Sequence, residues 1–163
     1  MPKKKVAMAI NHEAMLQNLD MLLQAKHIRP TAMRLLVLEF LRSQKAAVSL
    51  NDLEAAFHRS DRITLYRTLK TFEEKGLVHC IADGTSSVKY ALCADDCQTE
   101  NHQDLHVHFH CSKCAETYCL PTARIPDISL PAEFAAEEVN LIVKGICGSC
   151  KAENAMQLQT KGQ

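Results

Sequence analysis

The sequence predicts an α+β protein in two parts, an N-terminal winged helix-turn-helix and a smaller C-terminal α/β domain. Three observations predict it. Apolar residues recur at helical spacing up to Gly76, and two short β-prone runs follow around Asp83-Gly84. A polar stretch at 94–105 then breaks the pattern. Beyond it, further β-prone runs lead into two Cys-x-x-Cys pairs.

The elements follow in chain order. From His12 to Lys26, Met15, Leu16, Leu19, Leu22 and Leu23 form one helical stripe. Pro30-Thr31 opens a second helix with Thr31 as N-cap, and Leu35, Leu36, Leu38 and Leu41 follow. Ser49-Leu-Asn-Asp52 reads as a capping box for a short third helix reaching Phe57. Ser60-Asp61 caps a fourth helix that runs to Lys75, and Gly76 stops it. Leu77–Ile81 and Ser87–Leu92 then make a hairpin, because Asp-Gly between β-prone runs is a strong turn signal. Helices followed by such a hairpin make a winged helix-turn-helix over residues 1–93. Residues 94–104 read as a hinge, and 105–163 as the second domain. There, Val107–Cys111 and Thr117–Leu120 are short strands around a Cys-x-x-Cys turn. Three prolines in 121–135 exclude a long regular helix. Glu138–Ile146 is a third strand, and the tail from Ala152 is polar.

Composition narrows the function. The 163 residues carry zero net charge, but unevenly: residues 1–90 hold +5 and residues 91–163 hold −5. Such a split suggests that the first part meets a polyanion. No apolar run is long enough to span a bilayer, and no signal-like block follows Met1-Pro-Lys-Lys-Lys5, so a cytoplasmic protein with no membrane partner is expected. In that reducing compartment, eight cysteines point to metal or redox chemistry rather than disulfides.

Cys111-x-x-Cys114 and Cys147-x-x-Cys150 have the spacing of two zinc knuckles. Four thiolates surround Zn²⁺ tetrahedrally at about 2.3 Å and leave no open position, so this site is structural. A second group holds His79, Cys80, Cys93, Cys97, His102, His106, His108, His110 and Cys119. On a strand, His106, His108 and His110 face one side, which favours a second metal site. In the fourth helix, Leu65, Leu69 and Phe72 share a core face, and Ile63, Tyr66, Arg67 and Lys70 fall opposite. An exposed stripe of this kind on the second helix of a helix-turn-helix can enter the DNA major groove and read base edges. Lys3 to Lys5 can add phosphate or minor-groove contacts. The chain has no His-Glu-x-x-His or His-x-Glu motif, so neither a zinc hydrolase nor any other enzyme on a small organic substrate is expected.

Together these motifs resemble the ferric uptake regulator family over residues 20 to 150. The carrying segments are Arg29-Pro-Thr-Ala-Met-Arg34, Ile63-Thr-Leu-Tyr-Arg-Thr-Leu69, Glu74-Lys-Gly-Leu-Val-His79, His106-Val-His-Phe-His-Cys-Ser-Lys-Cys114 and Gly145-Ile-Cys-Gly-Ser-Cys150. The resemblance implies a homodimeric, metal-responsive repressor that binds palindromic double-stranded DNA operators near metal-uptake genes. It implies that Tyr66 and Arg67 read bases and that Arg34 contacts the backbone. It also implies a sensory metal at the hinge. Iron- and peroxide-sensing members place a histidine where this chain has Ala47, an acid at Ala91 and a carboxylate at Cys119. What remains is His79, Cys93, His106 and His108, a set similar to the zinc uptake regulators, with Cys119 replacing a histidine or serving as an alternative ligand. Mixed thiolate and imidazole donors suit Zn²⁺, whereas oxygen-rich six-coordinate sites suit Fe²⁺ or Mn²⁺. Zinc is therefore expected in both sites. An iron-responsive regulator, or a thiol- or peroxide-sensing one, is the alternative. The parts played by Cys80, Cys97, His102 and His110 stay open.

Overall fold

The computed structural model describes residues 3–93, 106–123, 125–126, 128–136 and 139–153, with side chains from residue 14 onward. The expected hinge, Cys97, His102 and the polar tail beyond residue 153 lie outside the described residues, as do the side chains of Lys3 to Lys5.

Four helices form the N-terminal half. Helix α1 spans Lys3–Ala25 and begins well before the expected His12. Its Leu19 and Leu23 are buried, whereas Met15, at the edge of the predicted stripe, is exposed. Helix α2 spans Ala32–Ser43, and the Thr31 side chain accepts from the Arg34 amide as its N-cap. Its buried face is Val37, Leu38 and Leu41, while Leu36, another of the leucines that follow Thr31, is exposed. At 100° per residue Leu36 stands roughly 150° round the helix from that face. The capping box holds: Ser49 accepts from the Asp52 amide, and Asp52 accepts from the Ser49 amide, which starts helix α3 (Leu50–Ala56). Asp61 caps helix α4 (Arg62–Glu74), and Gly76 at φ 62° turns the chain out of it.

The hairpin that follows pairs β2 (Val78–Ile81) with β3 (Lys89–Leu92). A two-residue strand the periodicity did not reveal, β1 (Val48–Ser49), adds to the outer edge of β3. Two residues are too few to show an alternation, so only the pairing exposes them. Leu23, Leu38, Leu53, Leu65, Leu69, Phe72 and Val78 fill one core beneath helices and hairpin, each fully shielded from solvent. Burial of each such side chain stabilises by about 1.5–3 kcal/mol.

The C-terminal half is a second three-stranded sheet of order β5-β4-β6. Strands β4 (Val107–Cys111) and β5 (Thr117–Leu120) are antiparallel with the expected bounds. Strand β6 (Leu141–Gly145) is shorter than predicted and runs parallel to β4, with Cys111 opposite Gly145. Among the described residues between 121 and 136 there is no helix, in keeping with the prolines. The buried apolar cluster here is small: Cys111, Cys147 and Cys150, with Phe109 and Tyr118 against them.

Candidate metal centres

The first centre grows from the ends of two paired strands. Cys111 closes β4, and the chain turns back so that the Cys111 amide donates to Glu116 O (2.8 Å) and the Ala115 amide to Cys111 O (2.9 Å). Ala115 adopts φ 61° to complete this turn, a left-handed conformation that costs a non-glycine residue about 1–2 kcal/mol. Parallel pairing brings the end of β6 alongside, and residues 148–153 form a helical turn carrying Cys150. The sulfurs of Cys111, Cys114, Cys147 and Cys150 lie within 4.8 Å of one another, and Cys114 Sγ is 3.8 Å from Cys147 Sγ. Thiolates about 2.3 Å from a tetrahedral Zn²⁺ stand about 3.8 Å apart, so the four sulfurs fit that ion.

Electrostatics favour the same conclusion. Amide hydrogen bonds from Cys114 and Cys147 lower the Cys111 thiol to about 6, and the Cys150 amide lowers Cys147. Burial and the neighbouring Cys147, Cys114 and Cys111 push Cys150 up to about 12. The Glu116 amide favours ionised Cys114, but burial and Cys111 outweigh it and raise that thiol. The turn thus stabilises some thiolates, yet four cannot ionise together without a cation among them. None of the described cysteines is in a disulfide.

The second centre joins the two halves. His79 comes from β2 of the hairpin, His106 from just before β4, His108 from β4 itself, and Cys119 from β5. One donor atom of each lies within 4.8 Å of the others. His79 Nε2 is 3.2 Å from His108 Nε2 and 3.5 Å from Cys119 Sγ. Two imidazoles about 2.0 Å from a tetrahedral zinc stand about 3.3 Å apart, so this donor set also fits. Period-two alternation turns His106 and His108 to the same side, their ring centroids 4.5 Å apart. Cys93 meets His79 from the other side, its Sγ 3.6 Å from Nδ1. Of the residues singled out in the sequence, the structure therefore gathers His79, His106, His108 and Cys119 around one point and sets Cys93 behind His79. Cys80 is exposed on β2.

His110 shares the face of His106 and His108 but lies apart from their cluster. Its Nδ1 is 3.0 Å from Thr117 Oγ1 and 3.2 Å from Asp83 Oδ2. Asp83, Lys89 and Thr117 are buried polar residues that the sequence reading passed over. Asp83 had registered only as part of a turn. A lysine between Val88 and Tyr90 in the β-prone Ser87–Leu92 run is the available signal for Lys89.

Helix α4 presents the residues of the predicted interface. Leu65, Thr68, Leu69 and Phe72 are buried, and Ile63, Tyr66 and Arg67 are exposed. Thr68 joins the core because its hydroxyl donates to Thr64 O within the helix (2.9 Å). Lys70 is half-buried and paired with Glu73, whose hydrogen bond raises the lysine pKa. Arg34 donates to Arg29 O at 2.8 Å. Among the described residues, no helix is long and apolar enough to cross a membrane.

The profile of the ferric uptake regulator family matches residues 25–143. No curated protein sequence matches the chain significantly. Among solved structures, a zinc uptake regulator complexed with zinc and DNA is similar at a TM-score of 0.60 and 21% identity, over 88% of this chain and 97% of that one. XcZur in its holo form is similar at 0.56 and 17%, over 85% and 98%. The ferric uptake regulator of Vibrio cholerae is similar at 0.53 and 18%, over 78% and 98%. At these identities the structures establish a shared fold.

Proposed function

The chain belongs to the ferric uptake regulator family of metal-responsive regulators, and from that premise we propose that it is a zinc-responsive, homodimeric repressor of metal-uptake genes. One observation carries the zinc assignment: the cluster between the halves offers three imidazoles and a thiolate, His79, His106, His108 and Cys119, and among the described residues no carboxylate joins them. Such donors suit tetrahedral Zn²⁺ better than the oxygen-rich coordination preferred by Fe²⁺ or Mn²⁺. A metal held there ties His79 of the hairpin to the C-terminal sheet and thereby orients α4. The metal supplies charge and fixed geometry, and no reaction is required of it.

On this reading, Ile63, Tyr66, Arg67 and Lys70 face the major groove of palindromic double-stranded DNA, and Arg34 approaches the phosphates. Residues 1–93 form the DNA-binding domain, 94–104 the hinge and 105–163 the dimerisation domain. A second copy covers apolar groups that the single chain leaves exposed, among them Val143 on the edge strand β6, Phe134 and Ile128. The protein works in the cytoplasm.

The test begins with operator fragments selected by the purified protein in the presence of Zn²⁺. DNA affinity is then measured against free Zn²⁺, Fe²⁺ and Mn²⁺ after mild chelation. Activation at the lowest free concentration by Zn²⁺ is expected. Activation by Fe²⁺ or Mn²⁺ but not Zn²⁺ would assign the protein to an iron or manganese response. Metal-independent binding lost only on oxidation would assign it to thiol sensing.

A further inference from the structure

The tip of the hairpin does not stand free. Asp83, two residues beyond β2, and Lys89, at the start of β3, reach into the C-terminal sheet and meet Thr117 of β5 and His110 of β4. The Thr117 hydroxyl donates to Asp83 Oδ2 at 2.5 Å. Lys89 Nζ donates to Thr117 Oγ1 at 3.1 Å and lies 3.0 Å from Asp83 Oδ2. It also donates to Ala115 O, the left-handed residue of the cysteine knuckle. Thr85 closes the other side of Asp83, its amide donating at 2.9 Å. The Asp83 side chain is 0% exposed and that of Lys89 11% exposed, so water competes little for these bonds. A Cβ at Gly84, at φ 83°, would lie 3.0 Å from Lys144 Nζ, so the turn also sits close against β6.

We propose that Asp83, Lys89, His110 and Thr117 are positioning residues that latch the hairpin to the C-terminal sheet in the pose that assembles the His79, His106, His108 and Cys119 metal site. The latch and the metal site use the same strands. Asp83 lies four residues beyond His79 along the hairpin, and His110 and Thr117 lie two residues from His108 and Cys119. A shift of the hairpin large enough to break Lys89 from Thr117 also carries His79 away from Cys119. Metal and latch therefore favour one pose, and each strengthens the other. Burial alone would raise the Asp83 pKa, but hydrogen bonds from Thr117, Thr85 and Lys89 hold it well below the usual carboxylate range. Asp83 is thus an anion facing the Lys89 cation, a directional contact with one preferred register.

The inference rests on the reading of the second cluster as a metal site, and its test separates the two. Full-length Thr117→Val loses the hydroxyl but keeps the shape, Thr117→Ser keeps the hydroxyl, and Lys89→Met loses the charge. Zn²⁺ is titrated against a competing chelator, and hydrogen exchange of the hairpin is followed in protein holding only the cysteine-site zinc. Thr117→Val and Lys89→Met should retain that first zinc, bind the second about tenfold more weakly, and exchange faster at 78–92; apparent affinity falls with the populated fraction of the competent pose. Thr117→Ser should behave as wild type. Unchanged second-zinc affinity in folded variants overturns the latch, as does wild-type hairpin exchange as fast as exposed loops. Should the variants fail to fold, the wild-type exchange result decides. If wild type binds no second zinc, the metal reading fails, and exchange in Thr117→Val against wild type still decides the latch.

Discussion

The two candidate metal centres differ in their donors, four cysteines in one and three histidines with a cysteine in the other, and in which parts of the chain supply them. The four-cysteine centre draws its cysteines from one sheet and its adjoining turns, and three of them, Cys111, Cys147 and Cys150, make up that half's small buried cluster. The second centre takes His79 from the N-terminal half and His106, His108 and Cys119 from the C-terminal half. A metal that crosslinks residues of one unit contributes to folding that unit. A metal that joins two units, each with its own support, instead selects how they sit together. The N-terminal half is supported by a broad leucine-rich core, so it does not need the second metal in order to fold. Among the described residues of the C-terminal half, the buried apolar cluster consists of Cys111, Cys147 and Cys150 with Phe109 and Tyr118 packed against them.

The largest effect that would break this contrast is expected at Cys114→Ser. Structural zinc binding is worth on the order of 10 kcal/mol, so loss of a ligand should unfold the C-terminal half while α1 to α4 keep their helicity. Zinc content, dimer mass and circular dichroism check it; a folded dimer of undiminished melting temperature with one fewer zinc would put the folding role elsewhere. Cys119→Ser removes a soft donor from the second centre. Metal affinity there should fall beyond the roughly 100-fold that loss of an outer-sphere partner costs at most, with the first zinc and the melting temperature unchanged. A cooperative loss of the whole fold would merge the two centres into one.

Arg67→Ala touches neither centre. It should weaken operator binding by roughly 1–3 kcal/mol and relax preference at one base pair per half-site, leaving both zinc affinities as they were. Unchanged operator preference would take α4 out of the groove. The smallest effect is expected at Cys93→Ser. Cys93 lies against Nδ1 of His79, whereas Nε2 of that ring faces His108 and Cys119, so its loss should weaken the second zinc by about tenfold. A loss as large as that of Cys119→Ser would place Cys93 among the ligands.

Much of this architecture was legible in the sequence because it is local. Thr31, the Ser49–Asp52 box and Asp61 act within a few residues of themselves, and each caps the helix it was expected to cap. The knuckle spacings and the period-two alternation of His106, His108 and His110 are likewise properties of short segments. Leu36 shows the limit: several leucines in one helix leave its buried face ambiguous until a partner packs against it.

The sequence by itself determined which residues lie on one strand face and which cysteines are close enough to pair in knuckles. Only the tertiary structure decided how the aligned histidines divide, His106 and His108 towards His79, and His110 towards Asp83 and Thr117. The same holds for Lys89, whose partners Thr117 and Ala115 lie more than twenty residues away across the junction of the halves. Strand alternation is dictated by backbone geometry within the segment, whereas the neighbour a side chain meets depends on the register in which two separately folded surfaces dock.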